Sequence, residues 1–219
     1  MRIVIAGGHG KIALLLAELL TGRGHSVIAL IRNSAHAPEV YATGAESVIL
    51  DLEQAVVTDL AATVQGADAV VFAAGAGPGS GVARKYTVDR DGSVLLAEAA
   101  ERVGTRRFLQ ISAMGAGLAP AAGTDEVWAA YIDAKTQAED DLRDRDLDWT
   151  ILRPGRLLDS PGTGSVTLAP QRLDRGDIPR ADVAAVCAAL LEADHTAGRT
   201  LDLVAGSTRI EAAVAALAR

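Results

Sequence analysis

The chain alternates between short runs of branched aliphatic residues and longer stretches in which apolar residues recur every three or four positions. Such short apolar runs are typical of strands that are buried on both faces, and the longer stretches predict amphipathic helices. The predicted strands cover residues 3–5, 26–31, 46–50, 69–72, 107–111, 149–152 and 200–204, with a short strand pair within 164–173. The predicted helices cover residues 12–20, 37–43, 55–64, 85–103, 131–142, 181–191 and 210–218.

Strands that alternate with helices predict an α/β fold, a doubly wound parallel sheet with helices on both faces. Residues 1–219 contain no internal repeat and no linker long enough to separate two domains, so we expect a single domain. Two segments, 113–127 and 156–180, are expected on the substrate side, and the second forms a small C-terminal region.

The first strand ends in a glycine turn that leads directly into the first helix. Gly7 allows a sharp turn, Gly10 lets the backbone approach a phosphate, and Ala13 is small enough for close helix–strand packing. The unpaired N–H groups of the helix N-terminus then point toward an anion. An ordinary strand–helix turn is the alternative, but the order of strand, glycines and helix is the one that the dinucleotide fingerprint requires. The turn therefore predicts a Rossmann-type dinucleotide-binding domain.

Composition narrows the class of protein. Hydrophobic residues make up 49% of the chain and aromatic residues 3%, so the predicted core consists of Ala, Val, Leu and Ile. The formal net charge of −7 argues against binding to nucleic acid or to anionic membranes. The single Cys187 excludes an internal disulfide, the histidine spacing offers no metal site, and no segment resembles a signal peptide or a membrane span. We expect a cytoplasmic protein, a monomer or homodimer, that binds a small-molecule substrate.

The ends of the second and third strands carry the candidate residues for the adenosine part of a cofactor. The second strand ends in Arg32 and Asn33, where an acidic residue would bind the ribose hydroxyls. A guanidinium there pairs with a 2′-phosphate, so NADP is expected and NAD is disfavoured; a solvated surface arginine is the alternative. Asp51 either accepts a bond from the adenine amino group or caps the following turn. The small residues 73–75 leave room for a flat ring or a ribose.

Candidate acid/base chemistry lies further along the chain. Tyr131 and Lys135 are four residues apart and therefore share one face of a helix. A neighbouring ammonium lowers the pKa of a phenol and brings proton transfer into a useful range, and the same lysine can hold a ribose. Ser112 ends the fifth strand, where ligands of such sheets bind, and its hydroxyl is expected to orient a substrate oxygen.

Taken together, these segments resemble the short-chain dehydrogenase/reductase superfamily over nearly the whole chain. The resemblance is carried by Gly7-Gly8-His9-Gly10-Lys11-Ile12-Ala13, Asp51-Leu52, Ala73-Ala74-Gly75, Ser112, Tyr131-Ile132-Asp133-Ala134-Lys135 and Trp149-Thr150-Ile151-Leu152-Arg153-Pro154-Gly155. The glycine spacing and the Arg-Pro-Gly sequence are similar to the atypical branch, whose members are named NAD-dependent epimerases or dehydratases and NAD(P)H-binding proteins.

The resemblance implies two sets of site residues. The catalytic set is Ser112, Tyr131, Lys135 and Asp89, where Asp89 stands in the place of the superfamily's asparagine. The cofactor-binding set is Gly7, Gly8, His9, Gly10, Lys11, Ile12, Arg32, Asn33, Asp51, Leu52, Ala73, Ala74, Gly75, Lys135, Pro154 and Gly155.

Two classes of function follow from this reading. The first is an NADP(H)-dependent oxidoreductase, or an epimerase/dehydratase that uses bound NADP, with Tyr131 as the acid/base. The alternative is a non-catalytic NADP(H)-binding redox sensor or regulatory protein. The sequence carries no code for the identity of the substrate.

Replacing Arg32 tests the choice of cofactor. Hydrogen bonds to charged groups contribute roughly 1.5–3 kcal/mol, so Arg32→Ala should weaken NADPH binding about ten- to a hundredfold. NADH binding should change little, because NADH has no 2′-phosphate to engage the guanidinium. Calorimetric titration of both proteins with both cofactors measures this difference. Equal losses for NADPH and NADH would mean that Arg32 has a structural role.

Overall fold

The structure, a computed structural model, describes residues 1–77, 79–121 and 123–218. Its strands are β1 (Arg2–Ala6), β2 (Ser26–Ile31), β3 (Glu46–Ile49), β4 (Ala69–Phe72), β5 (Arg107–Ile111), β6 (Asp148–Pro154), β7 (Arg156–Leu158), β8 (Ser165–Ala169), β9 (Asp177–Pro179), β10 (Arg199–Ala205) and β11 (Thr208–Arg209). Its α-helices are α1 (Lys11–Gly22), α2 (Ala37–Ala42), α3 (Val57–Val64), α4 (Val82–Arg84), α5 (Gly92–Val103), α6 (Glu126–Arg143), α7 (Arg180–Leu191) and α8 (Ile210–Ala215). The predicted segment 113–127 includes Ala122, which lies outside the described residues.

The strands form one main sheet in the order β11-β8-β10-β6-β5-β4-β1-β2-β3. All neighbours from β10 to β3 are parallel, so the predicted doubly wound parallel sheet is confirmed. The chain runs from β1 to β2 and β3 on one side and then crosses to β4 on the other side of β1, which makes the carboxyl ends of β1 and β4 the topological switch point. Ligands of open α/β sheets bind at this point.

The edge beyond β10 differs from the sequence prediction. The strand pair expected within 164–173 is a single strand, β8, which pairs antiparallel with β10 and with β11. Its partners lie far along the chain, and a local pattern of residues contains no information about them. The sixth strand also continues through Arg153 and Pro154, which pair with Asp202 and Leu203 of β10.

Helices cover both faces of the sheet, as predicted. Helices α1, α7 and α8 pack on one face, where Leu16 and Cys187 are fully buried. Helices α3 and α5 pack on the other face, where Leu60, Leu96 and Phe72 are fully buried. Burial raises the pKa of the Cys187 thiol to about 12, so this cysteine is a packing residue. Among the described residues, no helix combines the length and the apolar character that a membrane span needs.

The helix predicted over residues 85–103 is longer and less regular than expected. It starts at Val82, and a π-helical segment, Lys85–Asp91, joins α4 to α5. A π turn adds a residue to the helical repeat and changes the direction of the side chains that follow, which is why such turns are frequent at functional sites. Asp89, a predicted catalytic residue, lies in this segment and is almost fully buried.

The glycine turn between β1 and α1 is fixed by two close packing contacts. Gly7 has a φ of +77°, and a Cβ atom at this position would lie 2.6 Å from the backbone nitrogen of Ala74. Gly8 packs on β2, where a Cβ atom would overlap the side chain of Ala29 and lie 2.8 Å from its Cα. The Gly8 amide donates to the carbonyl of Leu30 at 2.9 Å. The turn is therefore clamped between β2 and the loop that follows β4.

Adding a methyl group at Gly8 should destabilise the protein. Gly8→Ala forces the turn away from Ala29, and overpacking of this kind costs about 1–3 kcal/mol of unfolding free energy. Gly22→Ala is the matched control, because no atom lies within 4 Å of a Cβ at the last residue of α1. The control should stabilise the helix by roughly 0.5–1 kcal/mol. Urea denaturation measures both changes, and equal stability of the two variants would contradict this account of the turn.

Candidate active site

The N-terminus of α1 lies open at the switch point of the sheet. Its N-cap residue is Gly10, no side chain caps it, and its first turn contains no acidic residue. Twelve residues of aligned peptide dipoles end here, and the first amide groups of the helix lack intrahelical acceptors. The absence of side chains at Gly7 and Gly10 lets a ligand approach these amides. The turn therefore fits the pyrophosphate of a dinucleotide.

Two side chains predicted to bind the cofactor at this turn have protein partners. The His9 ring stacks on the His36 ring with 3.7 Å between centroids, and its Nε2 lies 3.2 Å from Glu39 Oε2. The Lys11 ammonium lies 2.6 Å from Asp159 Oδ2, and both groups are exposed. The turn thus presents its backbone to the open space, while its His and Lys side chains contact neighbouring elements.

Arg32 lies at the end of β2 as predicted, beside a carboxylate that the sequence did not reveal. Its side chain is 58% exposed, and its Nη1 lies 4.0 Å from Glu53 Oε2. Glu53 makes shorter contacts elsewhere, accepting from Arg84 Nη2 at 2.6 Å and from the Thr87 hydroxyl at 2.7 Å. These hydrogen bonds, that from Arg84 first, lower the pKa of Glu53. Of the two arginines near Glu53, Arg32 therefore makes the longer and weaker contact.

Four further residues of the predicted cofactor set contact neighbouring parts of the protein. The Asn33 side chain accepts from the amide of Ala35 and starts a short 3-10 turn. The Asp51 carboxylate accepts from the amide of Glu53 at 3.0 Å, so the second of its two predicted roles, capping the turn, is observed. Leu52 packs against α5 near Gly92, and Ile12 packs against the core beneath α1.

The predicted Tyr–Lys face of α6 is confirmed and meets Asp89. The Lys135 ammonium lies 3.4 Å from Asp89 Oδ1 and donates to the carbonyl of Ile111 at 3.2 Å. The other Asp89 oxygen accepts from the amide of Ala76 at 3.0 Å. The Lys135 nitrogen lies 5.8 Å from the centre of the Tyr131 ring. The π segment, the loop after β4, the end of β5 and α6 therefore converge on one buried ion pair.

The net shift of the Tyr131 pKa is opposite to the one expected from Lys135 alone. Burial raises the pKa of Tyr131, and the negative charge of Asp89 raises it further. Burial also lowers the pKa of Lys135, while Asp89 acts in the opposite direction. The Lys135 charge is balanced by Asp89 and does not act on the phenol alone. Tyr131 is therefore protonated at neutral pH and is a weaker acid than an exposed tyrosine.

Ser112 lies at the end of β5 as predicted, and its hydroxyl donates to Glu139 of α6. It contacts Glu139 Oε1 at 2.5 Å, and the same oxygen accepts from Arg153 Nε at 2.9 Å. Glu139 is fully buried and also accepts from Arg143 at 2.6 Å. The expected role of this hydroxyl in orienting a substrate stays a prediction, and in this structure the hydroxyl binds Glu139. Glu139 lies four residues beyond Lys135 on the same helix face, a spacing that could have identified it.

The two predicted substrate-side segments occupy different places. In the first, residues 117–120 border a cleft of about 570 Å³ against α4 and α6, and its wall includes Tyr86 and Asp133 on the side of α6 away from Lys135. In the second, β7 and β9 pair with each other, and Gly155 leaves no room for a Cβ because the carbonyl of Gly176 lies against it. Pro154 ends β6 and accepts from the amide of Met114 at 3.1 Å. The second segment reaches the glycine turn through Asp159.

The fold and this site define a dinucleotide-binding α/β protein with a Tyr–Lys helix. Residues 7–194 match the family model described as NAD(P)H-binding. The chain is 36% identical over 215 residues to the uncharacterized sugar epimerase YhfK of Bacillus subtilis, covering 98% of this chain and 99% of that protein.

Solved structures show the same similarity. A Bacillus halodurans protein named as an NAD-dependent epimerase/dehydratase is 34% identical, with a TM-score of 0.91 and 99% of each chain covered. The oxidoreductase ylbE of Lactococcus lactis is 27% identical, with a TM-score of 0.86, and the match covers 99% of this chain and 96% of that one. The chain belongs to the NAD(P)H-binding family, an atypical branch of the short-chain dehydrogenase/reductase type. Its cofactor is a nicotinamide dinucleotide.

Removing the charge of Asp89 should lower the pKa of Tyr131. Asp89→Asn keeps an oxygen that accepts from the Ala76 amide but removes the negative charge that disfavours the phenolate. NMR titration of protein labelled at the tyrosine ring carbon bearing the hydroxyl, assigned with Tyr131→Phe, follows this pKa. The exposed Tyr41 is the internal control and should not shift. An unchanged or higher pKa of Tyr131 in Asp89→Asn would contradict the assignment.

Proposed function

We propose that the protein is an NADPH-dependent carbonyl reductase in which Tyr131 acts as the general acid. The observation that carries this proposal is the charge arrangement around the phenol. Burial and Asp89 together keep Tyr131 protonated, and the Lys135 ammonium is already paired with Asp89. The raised pKa makes the phenol a weak acid, so it donates its proton only to a strong base, such as the alkoxide oxygen that hydride transfer to a carbonyl creates.

The chemistry is divided between cofactor and protein. The nicotinamide dinucleotide supplies a hydride to the carbonyl carbon when it is bound. Tyr131 donates its phenolic proton to the carbonyl oxygen, so the carbonyl becomes an alcohol and the phenolate regains a proton from solvent. Lys135 stands near the phenol and stabilises the transient phenolate, because desolvation strengthens the attraction between them. Asp89 positions Lys135 and the loop after β4.

Arg32 and the glycine turn support NADPH as the reductant. The turn offers uncapped helix amides to the pyrophosphate, and Arg32 offers an exposed guanidinium at the end of β2. Glu53 does not neutralise Arg32 fully, since its shortest contacts are with Arg84 and Thr87. Names of related proteins include a sugar epimerase and an oxidoreductase, and both classes are consistent with redox chemistry at a bound nicotinamide.

Tyr131→Phe should lower turnover by about 10²- to 10⁴-fold, because a positioned acid/base group contributes this much. NADPH affinity should stay nearly unchanged, since the substitution removes one hydroxyl and keeps the ring. Steady-state NADPH oxidation with quinones, flavins, aldehydes and nucleotide sugars, beside calorimetric titration of NADPH, measures both quantities. Tyr41→Phe, an exposed tyrosine on α2, is the matched control and should behave as the unmodified protein.

Lys135→Met should reduce both turnover and NADPH affinity, as expected for a residue that stabilises the phenolate and holds the ribose. Because it leaves Asp89 buried without its cation, the double variant with Asp89→Asn separates folding from catalysis. A redox sensor would give a different pattern. Turnover would not depend on Tyr131, and NADPH would instead change the oligomeric state.

A further inference from the structure

Lys85 is a buried cation beside Tyr131 that the proposed reaction does not use. It opens the π segment, and the residue is only 8% exposed. Its ammonium lies 5.5 Å from the centre of the Tyr131 ring and donates to the carbonyl of Gly77 at 3.0 Å. Two cations, Lys85 and Lys135, therefore lie near the same phenol.

Lys85 differs from the other buried cations of the site in its partners. Lys135 is paired with Asp89, and Arg153 is paired with Glu139. Within residues 1–77, 79–121 and 123–218, no carboxylate oxygen lies within 4.0 Å of the Lys85 nitrogen. A lysine ammonium has three donors, and one carbonyl oxygen accepts from it here. A buried charge of this kind is costly unless an opposite charge joins it.

A purely structural role would be to hold the loop after β4. Gly77 has a φ of +79°, and the bond from Lys85 to its carbonyl fixes the loop in this conformation. A neutral donor would make the same bond without the cost of a buried charge. The presence of a cation at this place, next to the phenol, is what points to a ligand.

We propose that Lys85 binds a carboxylate of the substrate, so that the reduced compound is a carbonyl compound that carries a carboxylate group. This inference rests on the proposed reduction, because Tyr131 is taken as the point where the carbonyl oxygen binds. The charge balance selects a carboxylate over a phosphate dianion. The pair of Lys135 and Asp89 is neutral, so Lys85 leaves one positive charge around the phenol, which a single carboxylate neutralises.

Binding of small carboxylates and their amides tests this inference. We use two pairs of equal shape, benzoate with benzamide and oxamate with oxamide, titrated into the NADP-loaded protein. Fluorescence of Trp128, whose ring lies 5.2 Å from that of Tyr131, reports binding, and calorimetry checks the affinities. At least one carboxylate should bind about ten- to a hundredfold more tightly than its amide, the range expected for a hydrogen bond to a charged group.

Lys85→Met and Lys85→Gln should both abolish this preference. The glutamine variant keeps a donor for the Gly77 carbonyl, so it separates the charge from the support of the loop. Amide and NADP affinities should stay within about twofold in Lys85→Gln. Lys85→Arg should restore part of the preference, because it restores the positive charge.

Two results would overturn the inference about Lys85. The first is that neither carboxylate binds better than its amide in the unmodified protein, and the second is that the preference survives in Lys85→Gln. If turnover depends on Tyr131 without any carboxylate preference, only the inference about Lys85 fails. If the preference depends on Lys85 but turnover does not depend on Tyr131, the proposed reduction fails and the anion site stands.

Discussion

The buried ion pair between Lys135 and Asp89 is the contact on which the arrangement of the site depends. It joins α6 to the π segment, and its two members also hold the end of β5 and the loop after β4. Breaking a buried pair by removing one partner typically costs about 3–5 kcal/mol, because the remaining charge has no compensation. The position of Tyr131 is therefore tied to a contact between elements that are distant in sequence.

The same pair sets the electrostatics of the phenol. Asp89 stands in place of the superfamily's asparagine and adds a negative charge. Lys135 is the counterion of this carboxylate. Tyr131 is then influenced mainly by burial, which favours its neutral form. Lys85 supplies the positive charge that remains near the ring. The phenol of α6 therefore lies next to a cation of the π segment that no carboxylate of the described residues balances.

The glycine turn at the cofactor end of the site is fixed by close packing of its backbone. Close contacts of Gly7 with Ala74, and of Gly8 with Ala29, fix the turn and leave the N-terminus of α1 open. The segment 156–180 reaches this turn through Asp159, which contacts Lys11 at 2.6 Å and Arg180 at 2.5 Å. These exposed pairs contribute little to stability, but they place the substrate-side region next to the cofactor turn.

The sequence by itself determined the strands of the parallel sheet, most of the helices that cover it, the glycine turn and the shared face of Tyr131 and Lys135. These features are local, since a helical period or a run of aliphatic residues lies within a short window of the chain. Only the tertiary structure decided that β8 pairs with β10, that Ser112 donates to Glu139, and that Lys85 stands beside Tyr131. It also decided the direction of the Tyr131 pKa, because burial and the charge of Asp89 arise from residues that only folding brings together. Pairing, burial and charge balance depend on contacts across long separations, and no local pattern encodes them.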